Sequence, residues 1–247
     1  MIEPFELLHT NIPTFSQRNK ESKNDVPVYL VSLKKDKERR RNIIDNMVTP
    51  EVVESVDGGF LERRKMISQK ILENEKLKLG EIGCFLSHYN ILEQISRDTK
   101  NSISFVIEDD AHFDHTQIKH FLKTSLPTFD WDIIFLGHNH HVPVVKDTNM
   151  FTKVSRVHGT HGYIVNHDNI RNKIHNLLPI KKPIDITLPL VFNCYILQDP
   201  IVSISPTFGK KSNTQGINKF RTFRKKKLIF LFVLFVCFLT LFMFMLR

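Results

Sequence analysis

"FVIEDDAHFD", residues 105–114, sets three carboxylates directly behind an apolar run. Phe105, Val106 and Ile107 read as the end of a buried strand, and Glu108, Asp109 and Asp110 follow without a break. Like charges this close repel one another, and each costs free energy to desolvate. Water offsets that cost in a solvated turn; a divalent cation offsets it in a site. In an open α/β sheet ligands sit beyond the carboxyl ends of the strands, which is where this cluster falls. Hard carboxylate oxygens suit Mg²⁺ or Mn²⁺, and such an ion can hold a diphosphate and neutralise its charge as it departs. Alternation along an extended strand would put Glu108 and Asp110 on one face and Asp109 on the other.

The segments around this stretch alternate. "VPVYLVSL" (27–34), "EVVESVDG" (51–58), "SISFVIE" (102–108), "WDIIFLG" (131–137), two short runs within 154–165 and "PIVSISP" (200–206) read as strands. Residues 36–47, 80–98, 116–126 and 167–178 read as helices, 60–78 as charged and partly helical, and 183–197 as mixed. The helix over 80–98 carries the plainest signal, with Ile82, Phe85, Leu86, Tyr89, Leu92 and Ile95 at i, i+3, i+4, i+7 spacing. This alternation predicts an α/β domain with a mostly parallel sheet.

The 247 residues suffice for one sizeable domain. The net charge of +9 is concentrated at one end: residues 219–247 hold seven basic side chains and no acidic ones, so residues 1–218 carry +2. A basic tail, rather than a basic field over the fold, argues against a nucleic-acid partner. Residues 228–246 contain no charge, Gly or Pro, and at about 1.5 Å rise each they span roughly 28 Å as a helix, close to a bilayer core. The basic flank in 216–227 places the preceding domain on the cytoplasmic side. The expected organisation is a loose extension over 1–26, a catalytic domain over 27–215, a basic juxtamembrane linker over 216–227 and a transmembrane helix over 228–246. The first thirteen residues, "MIEPFELLHTNIP", lack the apolar core of a secretory signal. Cys84, Cys194 and Cys237 form neither a disulfide framework nor a zinc motif, and Cys84 reads as a small buried apolar residue. The histidines of "LGHNHH" (136–141) read as a solvated loop.

Five blocks, in order, carry more than spacing does: "VYLVSLKKDKERR" (28–40), "GEIGCFLSHYNIL" (80–92), "FVIEDDAHFD", "WDIIFLG" and "GTHGYIV" (159–165). Together they resemble glycosyltransferase family 25, the lipooligosaccharide galactosyltransferases and their collagen-modifying relatives, over roughly residues 27–205. The resemblance implies a GT-A-like nucleotide-sugar-binding domain and a UDP-sugar donor, galactose foremost. It further implies inverting, metal-assisted transfer to a hydroxyl of a glycan or lipid-linked oligosaccharide acceptor in lipopolysaccharide biosynthesis, and hence a bacterial inner-membrane setting. Residue by residue, it implies Asp110 and Glu108 as ligands of Mn²⁺ or Mg²⁺. Ser32, Leu33, Lys35, Arg39, Gly83, Ser87, His88, Asp109, Thr160 and His161 form the donor-binding set. Ser32 and Lys35 stand where the family usually has Asn and Arg, and Lys meets phosphate as a point charge rather than a fork. Arg40 and Arg41 read as a solvated helix face.

Inverting transfer needs a base for the acceptor hydroxyl. Asp185, in "PIDITLP", fits the family's Pro-x-Asp pattern; Asp132 and Glu81 are its rivals, although an acid at a helix start is also favoured by the helix dipole alone. Two other classes compete: a non-catalytic tail-anchored scaffold that keeps the fold, and a metal-dependent hydrolase using the same carboxylates.

Overall fold

The computed structural model describes residues 26–46, 50–144 and 150–209. The extension, the juxtamembrane linker and the apolar segment 228–246 lie essentially outside the described residues. Among the described residues no helix is long and apolar enough to cross a membrane.

The chain forms β1 (Val28–Ser32), α1 (Lys37–Asn46), β2 (Glu51–Glu54), a 3-10 turn (Gly58–Phe60), α2 (Arg63–Ser68) and α3 (Leu79–Arg97). Next come β3 (Ile103–Glu108), β4 (Ala111–Phe113), α4 (His115–Thr124), β5 (Ile133–Gly137), β6 (His140–Pro143), β7 (Phe151–His158) and β8 (Gly162–Asn166). A short α5 (His167–Ile170), a second 3-10 turn (Ile174–Leu177), α6 (Ile184–Val191), β9 (Cys194–Leu197) and β10 (Val202–Ile204) complete it.

Eight strands make one sheet in the order β2-β1-β3-β8-β5-β9-β7-β6. The expected mostly parallel sheet is mixed: β1–β2, β1–β3 and β5–β9 pair in parallel, and the other four pairings are antiparallel. The departure comes from β8, which runs against β3 and β5, and from β7, which runs against β9 and β6, while β1, β2, β3, β5, β6 and β9 share one direction.

Both faces of the central strands are buried, and period-2 alternation sorts their side chains. Tyr29, Val31, Val106, Phe135, Tyr163 and Val165 face the core formed with α3. Leu30, Phe105, Ile107, Ile134, Leu136 and Ile164 face the other core, with Ile43 of α1 and Ile118 and Phe121 of α4. The apolar stripe of α3 is buried as its spacing predicts.

Two expectations are corrected and one is resolved. The helix over 167–178 breaks into α5 and a 3-10 turn. The mixed segment 183–197 resolves, as read, into a helix, α6, which contains Pro189, followed by β9. His140 and His141 of "LGHNHH" are exposed, as read, but enter β6, which pairs with β7 rather than looping free. A separate pair, β4 with β10, was not expected; it ties Ser205 N–H to Asp110 O at 2.7 Å.

Candidate active site

Ser32, Glu108 and Gly137 end β1, β3 and β5 at one edge of the sheet, and the 159–161 loop arrives at the same edge through Glu108 N–H to His161 O, 3.2 Å. A cleft of about 420 Å³ opens there. Its walls include Ser32, Leu33, Lys35, Arg39, Ser87, His88, Glu108, Asp109 and Asp110, all singled out from the sequence. The loop 55–60 and Cys84 line it as well.

The strand stops at Glu108, so alternation does not carry through the acidic run; Asp109 and Asp110 form the turn into β4. One guanidinium then serves both carboxylates: Arg39 Nη2 lies 2.8 Å from Asp109 Oδ1 and 2.7 Å from Asp110 Oδ2. The Ser32 hydroxyl donates to Asp109 Oδ2 at 2.8 Å. Arg40 is not on a solvated face; its Nε and Nη2 donate to Ser32 Oγ and Ser32 O. Burial pushes the Asp109 carboxyl up to about 7 against the pull of Arg39, and burial with the Glu108 charge pushes Asp110 up to about 6.

Glu108 is held differently. His88, fully buried on α3, donates from Nε2 to Glu108 Oε1 at 3.0 Å and places Nδ1 2.9 Å from the Tyr163 hydroxyl. The Thr160 hydroxyl donates to the same Oε1. Burial alone would raise the Glu108 carboxyl, but the hydrogen bonds and charge of His88, with Thr160, bring it down to about 2. Thr160 and His161 therefore stand behind Glu108 rather than facing the cleft. His161 is packed against Gly137 and Gly159, and burial lowers its affinity for a proton.

Gly83 and Ser87 have an architectural part. A Cβ at Gly83 would come within 2.6 Å of Val56 O, and Ser87 Oγ accepts from Val56 N–H at 2.8 Å while donating to Gly83 O. Together they seat the 55–60 loop on α3, so that Asp57 meets Lys35 at 2.7 Å across the cleft mouth. Lys35 thus has a carboxylate partner in place of the expected phosphate. The paired glycines of "VDGGF" are the signal for this loop: a Cβ at Gly58 would lie 2.2 Å from Leu79 O.

The three candidate bases separate. Glu81 Oε2 accepts from the Lys78 backbone N–H at 2.7 Å, a helix-capping contact. Asp132 is not brought to the site: Asn166 N–H bonds its carbonyl, which sets it at the opposite edge, about five residues or ~16 Å of strand from Glu108. There its carboxylate meets Lys173 at 2.6 Å and Asn193 N–H at 2.8 Å. Asp185, in the first turn of α6, lies at the cleft edge of the sheet and accepts from Gly159 N–H at 3.1 Å.

Two features escaped the sequence reading. Cys84 is partly exposed and lines the cleft, one helical turn before His88. Buried polar atoms without a hydrogen-bond partner also gather in the cleft: Arg39 Nε, Ser55 Oγ and Asp110 Oδ1. Buried polar groups are nearly always paired, so two donors and a carboxylate oxygen left open around one cavity mark a place for a ligand. Asp110 Oδ1, beside Glu108, fits a hard cation by its donor chemistry.

The family profile described as "Glycosyltransferase family 25 (LPS biosynthesis protein)" matches residues 25–188. Procollagen galactosyltransferase 2 of Homo sapiens is 26% identical over 190 residues, covering 67% of this chain and 30% of its own length. Procollagen galactosyltransferase 1-A of Xenopus laevis is 30% identical over 205 residues, covering 72% and 33% respectively. The chain therefore spans about a third of the length of these relatives. Among solved structures, HddC from Yersinia pseudotuberculosis aligns over 75% of this chain and 76% of its own at 18% identity, with a TM-score of 0.32, too loose a likeness to carry an argument.

Proposed function

The chain belongs to glycosyltransferase family 25, and from that premise we propose that it moves a hexose, galactose first, from a UDP-sugar to a hydroxyl of a glycan acceptor. The domain is GT-A-like in this reading and the transfer inverts the anomeric centre. The observation that carries the proposal is the convergence of Arg39 Nε, Ser55 Oγ and Asp110 Oδ1 on one cleft. Open donors suit a diphosphate, and an open carboxylate oxygen suits the cation that accompanies it.

Charge supports the same reading. Asp57, Glu108, Asp109 and Asp110 line the cleft against Lys35 and Arg39, leaving an excess of two carboxylates over fixed cations. Asp110, with Glu108, would hold Mn²⁺ or Mg²⁺, which when bound supplies neutralising charge for the departing diphosphate. Arg39, anchored by Asp109 and Asp110, directs its remaining donor at phosphate. Lys35 reaches the same group once it leaves Asp57. His88 and Thr160 fix the Glu108 carboxylate. Asp185, oriented by Gly159 N–H, takes the proton of the acceptor hydroxyl as that oxygen bonds the anomeric carbon and the bond to the UDP oxygen breaks.

The acceptor in this reading is a lipid-linked oligosaccharide of lipopolysaccharide biosynthesis. Residues 228–246 would hold the domain at the cytoplasmic face of a bacterial inner membrane, where that acceptor lies. The test is UDP release from a panel of UDP-sugars, with Mn²⁺ and with a chelator, followed by product analysis with lipid-linked acceptors. Release from one UDP-sugar that stops with the chelator is expected. Absence of both release and donor binding would leave the scaffold reading, and phosphate in place of UDP the hydrolase reading.

A further inference from the structure

Cys84 and His88 project from α3 one turn apart, and Glu108 ends β3 opposite them. One donor atom from each lies within 4.8 Å of the other two. We propose that Cys84, His88 and Glu108 form a second cation site, for a thiolate-seeking dication of the Zn²⁺ class, with its open position facing the cleft. The inference is independent of the transfer reaction, because it concerns what these three side chains bind whether or not sugar is moved.

The donor set decides the class. Sulfur, imidazole nitrogen and a carboxylate oxygen together suit a borderline ion in four-coordinate geometry, whereas Mg²⁺ and Mn²⁺ prefer oxygen. His88 Nε2 and Glu108 Oε1 stand 3.0 Å apart, near the edge of about 3.3 Å that a tetrahedron with metal–ligand bonds of about 2.0 Å would have. Three protein ligands and an open position correspond to a catalytic rather than a closed structural arrangement. The outer contacts such sites need are already in place: Tyr163 on the far ring nitrogen of His88 and Thr160 on Glu108. Burial and the charges of Glu108, Asp185, Asp110 and Glu81 raise the Cys84 thiol well above its usual range, and the carboxylate field that disfavours a lone thiolate favours a dication beside it.

On binding, the ion replaces the proton between His88 and Glu108. Counted from the charged His88–Glu108 pair, the Nε2 proton and the Cys84 thiol proton, two in all, pass to solvent, and the neutral ring keeps its proton on Nδ1, donated to the Tyr163 hydroxyl oxygen. Because Glu108 belongs to both sets, filling this site withdraws a ligand from the acidic turn, so a Zn²⁺-class ion competes with Mn²⁺ or Mg²⁺ there.

The test uses the full chain, reduced and stripped of metal, titrated with Co²⁺. A thiolate-to-cobalt charge-transfer band that saturates at one equivalent is expected. Zn²⁺ should bleach it; Cys84→Ser should abolish it; Cys237→Ser and Asp110→Asn should retain it. X-ray absorption on the wild-type Zn²⁺ form should give one sulfur neighbour, a reading that needs no variant. No band, a band that survives Cys84→Ser, or a zinc shell without sulfur would overturn the proposal.

Discussion

The two edges of the central sheet each bury acids, and they treat them differently. At the far edge Asp132 is matched by Lys173 and by Asn193 N–H, while His167 sits between Ser104 and the partly exposed Asp98, a serine–histidine–aspartate arrangement with the serine and histidine fully buried. The atoms left open there, Asp132 Oδ1 and Asn193 Oδ1, are both acceptors, and neither residue lines the cleft. At the near edge one guanidinium serves two carboxylates, a third leans on His88, and the open atoms include donors and an acceptor around a cavity. A buried acid is thus no mark of a site by itself. What distinguishes the near edge is a deficit of fixed cations beside open space.

The contrast can be broken by removing one acid from each edge. Asp110→Asn should slow sugar transfer by at least ~10³-fold, about 4 kcal/mol of transition-state stabilisation, with no loss of melting temperature; initial rates and calorimetry together check this. Asp132→Ala should do the reverse. It strips Lys173 and Asn193 of their partner, and since Lys173 is 40% exposed and can turn to water, the loss of stability should be about 1–3 kcal/mol by denaturant unfolding, with activity per folded molecule unchanged.

A smaller effect sharpens the comparison through pH. Asp109 and Asp110 in the folded chain lie above the ordinary value of 3.8, so their charge costs stability, and the cost grows as pH rises from about 4 through about 7. Glu108 lies below its ordinary value of 4.5, so its contribution is present above that value and fades as pH falls toward 2. Without added metal, wild-type stability should therefore fall by about 1–2 kcal/mol between pH 5 and pH 8. Asp110→Asn should reduce that slope, and so should saturating Mn²⁺, with the part due to Asp109 remaining. A slope unchanged in the variant would mean that Asp110 carries no such penalty.

Much of this edge was legible in the sequence because it is local. The stripe of α3 and the apolar run of β3 announce themselves by period, and the ends of those elements deliver Ser87, His88 and Glu108 to one place. What escaped is set by contacts distant in the chain. Asp109 turns inward because Ser32, 77 residues away, and Arg39 receive it. Asp132 precedes β5 where Glu108 ends β3, and because β8 makes those two strands run in one direction they fall at opposite edges, a placement that rests on pairing distant in the chain. Arg40 carries no sign in the sequence that it donates to Ser32. Cys84 reads as apolar until Glu108 is set opposite it. β6 was hidden because all four of its residues are exposed, so no alternation marks it, and it contains Pro143.

The most direct measurement is calorimetric titration of UDP into the wild-type chain and Asp110→Asn, each with Mn²⁺ and with a chelator. The account predicts binding to the wild type that weakens at least ~10-fold when Mn²⁺ is removed, and the same weakening in Asp110→Asn with Mn²⁺ present. UDP binding that is indifferent to both the metal and the substitution, or absent throughout, would contradict it.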